Sequence, residues 1–261
     1  MILRVEGLSI AFGGVRAVDD VSFAVEPGTI FSIIGPNGAG KTTLFNLVSG
    51  IYRADNGRVL LDGHDVTGLR PHLMAARGLS RTFQNLQIFF RMTALENVMV
   101  GRHLHEDRRL VGQLFQLPSA ARQNRETSAR AHALLERVGL AGDADTVAGN
   151  LPYGALKRLE IARALATEPR LLLLDEPAAG CNAVEAREID ELIKRVVQEG
   201  VTVVLVEHNM QLVMRISTRI LVLDYGRRLA EGAADEVRAD PKVIAAYLGE
   251  HGRQEIADAH G

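Results

Sequence analysis

The chain has 261 residues, of which 47% are hydrophobic and 24% charged, with a formal net charge of −2. This supplies a sizeable core and excludes the bulk positive charge of a protein that coats nucleic acid or an anionic membrane. One cysteine excludes an intrachain disulfide framework, and no run of about 18 apolar residues is present to span a bilayer. MILRVEGLSI lacks the basic start and long apolar stretch of a secretory signal. The expectation is a soluble cytoplasmic α/β chain, with any membrane role arising through a partner and no nucleic-acid partner.

β-rich runs open the chain at LRVEGLSI (Leu3 to Ile10) and VSFAV (Val21 to Val25). Gly and Pro turns between them predict antiparallel pairing. TIFSIIG, from Thr29, is continuously apolar, as a strand buried on both faces should be. RVLLDG at Arg58, LLLLDE at Leu171, VTVVLVEH at Val201 and RILVLD at Arg219 read as further strands. Helical patterns separate the last three, including AVEAREIDELIKRVVQEG, which places Ile189, Leu192, Ile193 and Val196 on one face. Alternation of helix and strand predicts a mostly parallel sheet. From about Leu95 to Val138 the chain is polar, Arg-rich and helical in pattern, with an amphipathic helix in ETSARAHALLERVGL that stops at Gly139. This predicts a helical subdomain at about 86–165, inserted in one domain spanning 1–250, with 251–261 a frayed tail.

GPNGAGKTT joins the strand TIFSII to the helix-like LFNLVSG. Strand, glycine loop, lysine, hydroxyl and helix in that order make a P-loop. Gly35, Pro36, Asn37, Gly38, Ala39, Gly40, Lys41, Thr42 and Thr43 form it. Glycines let successive N–H groups converge on phosphate oxygens, and the helix N-terminus favours an anion. Lys41 would reach the β- and γ-phosphates and Thr42 would ligate Mg²⁺.

Asp175 and Glu176 close the apolar strand LLLLDE. Asp175 would complete the Mg²⁺ shell, and Glu176 could polarise an attacking water as general base. His208 ends another apolar strand, in VLVEHNM, and beside a γ-phosphate it would donate to a phosphate oxygen. Gln84, in RTFQN, could bind Mg²⁺ or the water. HLHEDRR (His103 to Arg109) alternates histidines in a polar segment and reads as a solvated face rather than a metal pair.

In this order, GPNGAGKTT, Gln84, LPYGALKRLEIARAL, LLLLDEPAAG and VEH resemble an ATP-binding-cassette (ABC) ATPase, over nearly the whole chain from Ile2 to Leu248. GLSRTFQNLQIFFRMTALENVMVGRH and VEHNMQLVMRISTRILVLDYGRRLAEG narrow the resemblance to the Liv-type cassettes of branched-chain amino-acid importers. It implies a P-loop NTPase fold with an antiparallel β subdomain at the N-terminal end and the inserted helical subdomain. It also implies a head-to-tail cassette pair sandwiching two ATP molecules, two permeases, a periplasmic binding protein and a place on the cytoplasmic face of the inner membrane. Phe12 aligns with the aromatic that stacks on adenine, Gln84 with the loop that senses the permease, and Gly154 with the signature segment facing the partner's ATP.

The chain departs from that family where the signature usually reads Leu-Ser-Gly-Gly-Gln. Pro152 occupies the serine position and Ala155 the glutamine position; Cys181 and Ala183 stand where Leu and Pro are common. Pro152 has neither a hydroxyl nor a backbone N–H. Two unequal ATP sites in a heteromer are the expectation, since the lost donor belongs to the partner's site. Competing readings are a lipid-exporter cassette of the lipopolysaccharide type, a non-transport cassette, and a nucleotide-binding module with weak ATPase.

Overall fold

The computed structural model describes residues 1–105 and 118–247. The expected frayed tail, and the part of HLHEDRR after His105, lie outside the described residues. The described strands are β1 (Leu3–Phe12), β2 (Val15–Val25), β3 (Ile30–Ile34), β4 (Asn56–Leu61), β5 (His64–Asp65), β6 (Leu79–Arg81), β7 (Leu171–Asp175), β8 (Thr202–Val206), β9 (Arg219–Asp224) and β10 (Arg227–Gly232). The helices are α1 (Lys41–Val48), α2 (Pro71–Ala76), α3 (Ala94–Gly101), α4 (Pro118–Arg137), α5 (Tyr153–Leu165), α6 (Ala183–Gln198), α7 (Met210–Ile216) and α8 (Ala234–Ala239).

Two sheets result. One is antiparallel in the order β2-β1-β4-β5; the other runs β10-β9-β3-β8-β7-β6. In the second sheet β9, β3, β8, β7 and β6 are parallel and only β10 runs antiparallel, at the edge. The mostly parallel core and the antiparallel N-terminal sheet therefore match expectation. The pattern did not reveal β6 or β10, a three-residue strand and an Arg-led edge strand without continuous apolar character.

Every residue of β3, β7 and β8 is buried, which is why these runs read as unbroken apolar segments. The period of two still divides them between separate cores. Ile30, Leu172, Leu174, Val203 and Leu205 pack with residues of α4, α5 and α6. Phe31, Ile33, Leu171, Leu173, Val204 and Val206 pack with α1 and the antiparallel sheet.

Between β6 and β7 the described residues form helices and short turns, with one isolated bridge between Thr93 and Val147. After α4 the backbone enters the left-handed region at Gly139 (φ 72°). There the Leu140 N–H donates to the Leu135 carbonyl at 2.7 Å, a glycine C-cap. Asn182 caps α6 through its side chain in a capping box with Glu185, and Ile189, Leu192, Ile193 and Val196 are buried as the spacing predicts. Helix α5 is different: residues on most of its circumference are buried, Lys157 and Glu160 included. It is an internal helix, enclosed between the sheet and its helical neighbours.

Candidate active site

The sheet order brings the carboxyl ends of β3, β8, β7 and β6 side by side, the edge at which parallel α/β sheets bind ligands. β3 runs directly into Gly35. A Cβ there would lie 2.2 Å from the Leu223 carbonyl oxygen, so only glycine lets the loop pass under β9. Gly40 is left-handed (φ 97°), and a Cβ on it would lie 2.3 Å from the Ala17 carbonyl oxygen. The loop is further pinned by the Gly226 N–H, which donates to the Ala39 carbonyl at 3.0 Å. Lys41 folds back across the loop: Nζ donates to the carbonyls of Gly35 at 2.7 Å and Pro36 at 2.9 Å. Asn37, Gly38 and Thr42 are exposed, Pro36 and Thr43 half-buried and Ala39 buried. The loop thus holds an ammonium and the start of α1 around an open rim, a shape suited to a polyphosphate.

Asp175 is buried at the end of β7, and Arg81 Nη2 donates to its Oδ2 at 2.9 Å. Burial pushes the Asp175 carboxyl above its usual range, and the Arg81 hydrogen bond opposes that push. Arg81 also donates to Asn46 Oδ1 at 2.7 Å and Ser49 Oγ at 2.8 Å, tying β6 to α1. Its guanidinium lies near the rings of Phe45 and Phe83.

Glu176 has a left-handed backbone (φ 49°), an unusual conformation for a residue with a Cβ. Gln84 Nε2 donates to its Oε2 at 3.2 Å, and His208 Nδ1 stands 3.7 Å from its Oε1. Gln84, Glu176 and His208 come from the ends of three adjacent strands and converge on one carboxylate. Thr42, Asp175 and Gln84 offer the hard oxygen donors that a small divalent cation takes when phosphate oxygens complete its shell. Among the described residues there is no group of three or more His, Cys, Asp and Glu side chains that could hold a metal ion.

Phe12 is no core residue: it is 47% exposed and meets Tyr52 edge to face, with centroids 5.4 Å apart. Pro152 is the N-cap of α5 (ψ 157°), and no side-chain hydrogen bond caps that helix. Gly154 is buried, and a Cβ there would lie 2.6 Å from the Glu185 carboxylate, so α5 packs closely on α6 here and a larger residue would have to displace that carboxylate. Tyr153 lies over Gly180 in the same way.

Three residues at the site were not singled out by sequence reasoning. Arg81 gave little signal beyond a charge three places before Gln84. Glu160 accepts the Gln87 N–H at 3.3 Å, fastening the Gln84 loop to α5. Glu207 binds backbone beside His208. A detectable signal existed for both acids: Glu160 lies four residues after Leu156 on a buried helix face, and Glu207 closes the apolar run TVVLV.

Residues 18–179 match the family model described as ABC transporter, and residues 227–253 match that of the branched-chain amino acid ATP-binding cassette transporter. The chain is 47% identical to the high-affinity branched-chain amino acid transport ATP-binding protein BraF of Pseudomonas aeruginosa, covering 95% of this chain and 98% of the relative. It is 45% identical to the corresponding protein LivG of Escherichia coli over the same shares. A solved ATP-binding cassette of an ABC transporter in its ADP conformation superposes with a TM-score of 0.84 at 35% identity, covering 95% of this chain and 99% of that one. A nucleotide-free cassette gives 0.83 at 34%, covering 94% and 98%. Phosphate loop, convergent carboxylate edge and whole-chain likeness agree: the chain is an ATP-hydrolysing cassette of the ABC transporter family.

Proposed function

We propose that this cassette energises the import of branched-chain or related amino acids. The carrying observation is a groove of about 460 Å³ that opens beside the Gln84 loop, lined by Phe83, Leu86, Phe89, Val100, Glu160 and Arg163 among others. Its lining mixes apolar and charged side chains, and Phe89 and the neighbouring Phe90 are each about half exposed. A short amphipathic helix of a permease fits such a surface. Its movement would reach Glu176 through Gln84, which already donates to that carboxylate. The names of BraF and LivG supply the cargo class. No helix among the described residues is long and apolar enough to cross a membrane; in the proposed assembly two permeases hold the cassette at the cytoplasmic face. A periplasmic binding protein would deliver the cargo. We assign 1–250 to one cassette domain, with the helical subdomain at about 86–165.

In the proposed reaction the loop Gly35 to Thr43 cradles the phosphates and Lys41 exchanges its two carbonyl partners for β- and γ-oxygens. Phe12 faces adenine. Thr42, Asp175 and Gln84 would hold Mg²⁺, which neutralises phosphate charge when bound. Glu176 takes a proton from the water that attacks the γ-phosphorus as the bond to the bridging oxygen breaks. His208 donates to the γ-phosphate. A second, different cassette lies head to tail, and the start of α5 with Gly154 closes that partner's site. Co-purification with the permeases, followed by ATPase assays with binding protein and leucine, isoleucine or valine, tests this. Stimulation by amino acid is the expected result. A stable complex that none of them stimulates overturns the cargo, and failure to co-purify overturns the importer.

A further inference from the structure

Glu207 is 1% exposed and forms no ion pair among the described residues. Its oxygens are turned instead on backbone. Oε1 accepts the Ala178 N–H at 3.3 Å; Oε2 accepts the N–H groups of His208 at 3.2 Å and Asn209 at 3.5 Å. Ala178 lies two residues after Glu176, and His208 is the imidazole that faces Glu176 across 3.7 Å. One buried carboxylate therefore spans the two segments that carry the facing side chains. Burial raises its pKa and the backbone N–H groups oppose that; keeping an acid here costs solvation that an apolar residue would not incur. Nor is it needed to cap α7, because Asn209 does that by accepting the Leu212 N–H at 3.2 Å. The left-handed backbone at Glu176 gives the segment a conformation that must be held from outside.

We propose that Glu207 is a positioning residue for ATP hydrolysis, holding His208 in register with Glu176 by bridging the backbone of their two segments. It acts through those residues and touches no phosphate. The Lys41 loop lies apart from its contacts, so nucleotide binding is left intact and the step that suffers is chemistry.

The test uses the full chain in its hydrolysing assembly. Glu207→Ala should lower kcat by about 10²-fold, the scale of a misplaced catalytic group, while KM for ATP holds. Glu207→Gln keeps one carbonyl acceptor and should fall between that variant and the parent. Combining Glu207→Ala with His208→Ala should cost no more than His208→Ala alone, because the two act as one unit. Hydrogen exchange at the Ala178 and His208 amides should quicken in Glu207→Gln. A purely structural role would instead lower Tm and leave kcat of the folded chain unchanged; that result overturns the proposal, as does a lowered kcat in Glu207→Ala that adds in full to the loss in His208→Ala. If the alanine variant does not fold, the near-isosteric glutamine variant decides: unchanged kcat with unchanged amide exchange also overturns it.

Discussion

The carboxyl edge of the parallel sheet and the start of α5 are the two regions we propose to face ATP, and they are built on different principles. At the sheet edge each functional group is a side chain held by others: Lys41 by two carbonyls, Asp175 by Arg81, Glu176 by Gln84. At the start of α5, Pro152 contributes no donor and Gly154 no side chain, so a neighbour is offered the backbone, the helix dipole and the exposed Tyr153. The first surface carries the groups for acid–base chemistry; the second presents a helix start that attracts an anion. A chain with one complete and one reduced surface fits a pair of unlike cassettes better than a pair of identical ones.

The largest effect should come from the complete surface. Glu176→Gln removes the general base and should lower hydrolysis by about 10³-fold, while equilibrium ATP binding persists; a variant that still turns over at half the parent rate would remove Glu176 from the mechanism. Next, Pro152→Ser returns a donor to the reduced surface. In single-turnover measurements on the assembled heteromer, the slow half of the ATP should then be hydrolysed about 10²-fold faster. An unchanged slow phase would show that the reduced surface does not limit the rate.

Glu160 sharpens the link between the two surfaces, since it fastens the Gln84 loop to α5. Burial raises its pKa in the folded chain, so the folded state holds this proton to higher pH than the unfolded state does. Its ionisation therefore weakens stability as pH rises from the ordinary carboxylate range through the raised value. Glu160→Gln lacks that dependence, and its Tm relative to the parent should climb as pH rises from the ordinary carboxylate range toward the raised value. A constant Tm difference across that range would contradict the shift. The smallest effect is expected for Gly154→Ala. Its Cβ would displace the Glu185 carboxylate and loosen the α6 capping box, at a cost of about 1 kcal/mol, or about 2–4 °C in Tm. A loss of heteromer ATPase much beyond that would make close approach of a phosphate the stronger reason for glycine.

Much of the complete surface was legible because its parts lie in contiguous signals. GPNGAGKTT carries its own strand, turn and helix start, and the apolar runs ending in Asp175, Glu176 and His208 announce buried strands that deliver polar groups to one edge. Arg81 was not legible. It sits on a three-residue edge strand, and its meaning depends on pairing with β7, nearly a hundred positions away in the chain. Glu160 and Glu207 were visible as acids in apolar patterns, but nothing local says which amides they accept.

By itself, then, the sequence determined the P-loop, the alternation that builds a parallel sheet, the amphipathic stripe of α6 and the missing donor at Pro152. Each depends on neighbours within a turn or a strand, where backbone geometry leaves few choices. Only the tertiary structure decided that Gln84 and His208 meet on Glu176, that Arg81 holds Asp175, that Gly154 answers to Glu185, and that Glu207 bridges two segments. Those relations follow from strand order and close packing, which bring distant residues within hydrogen-bond range and which no local pattern encodes.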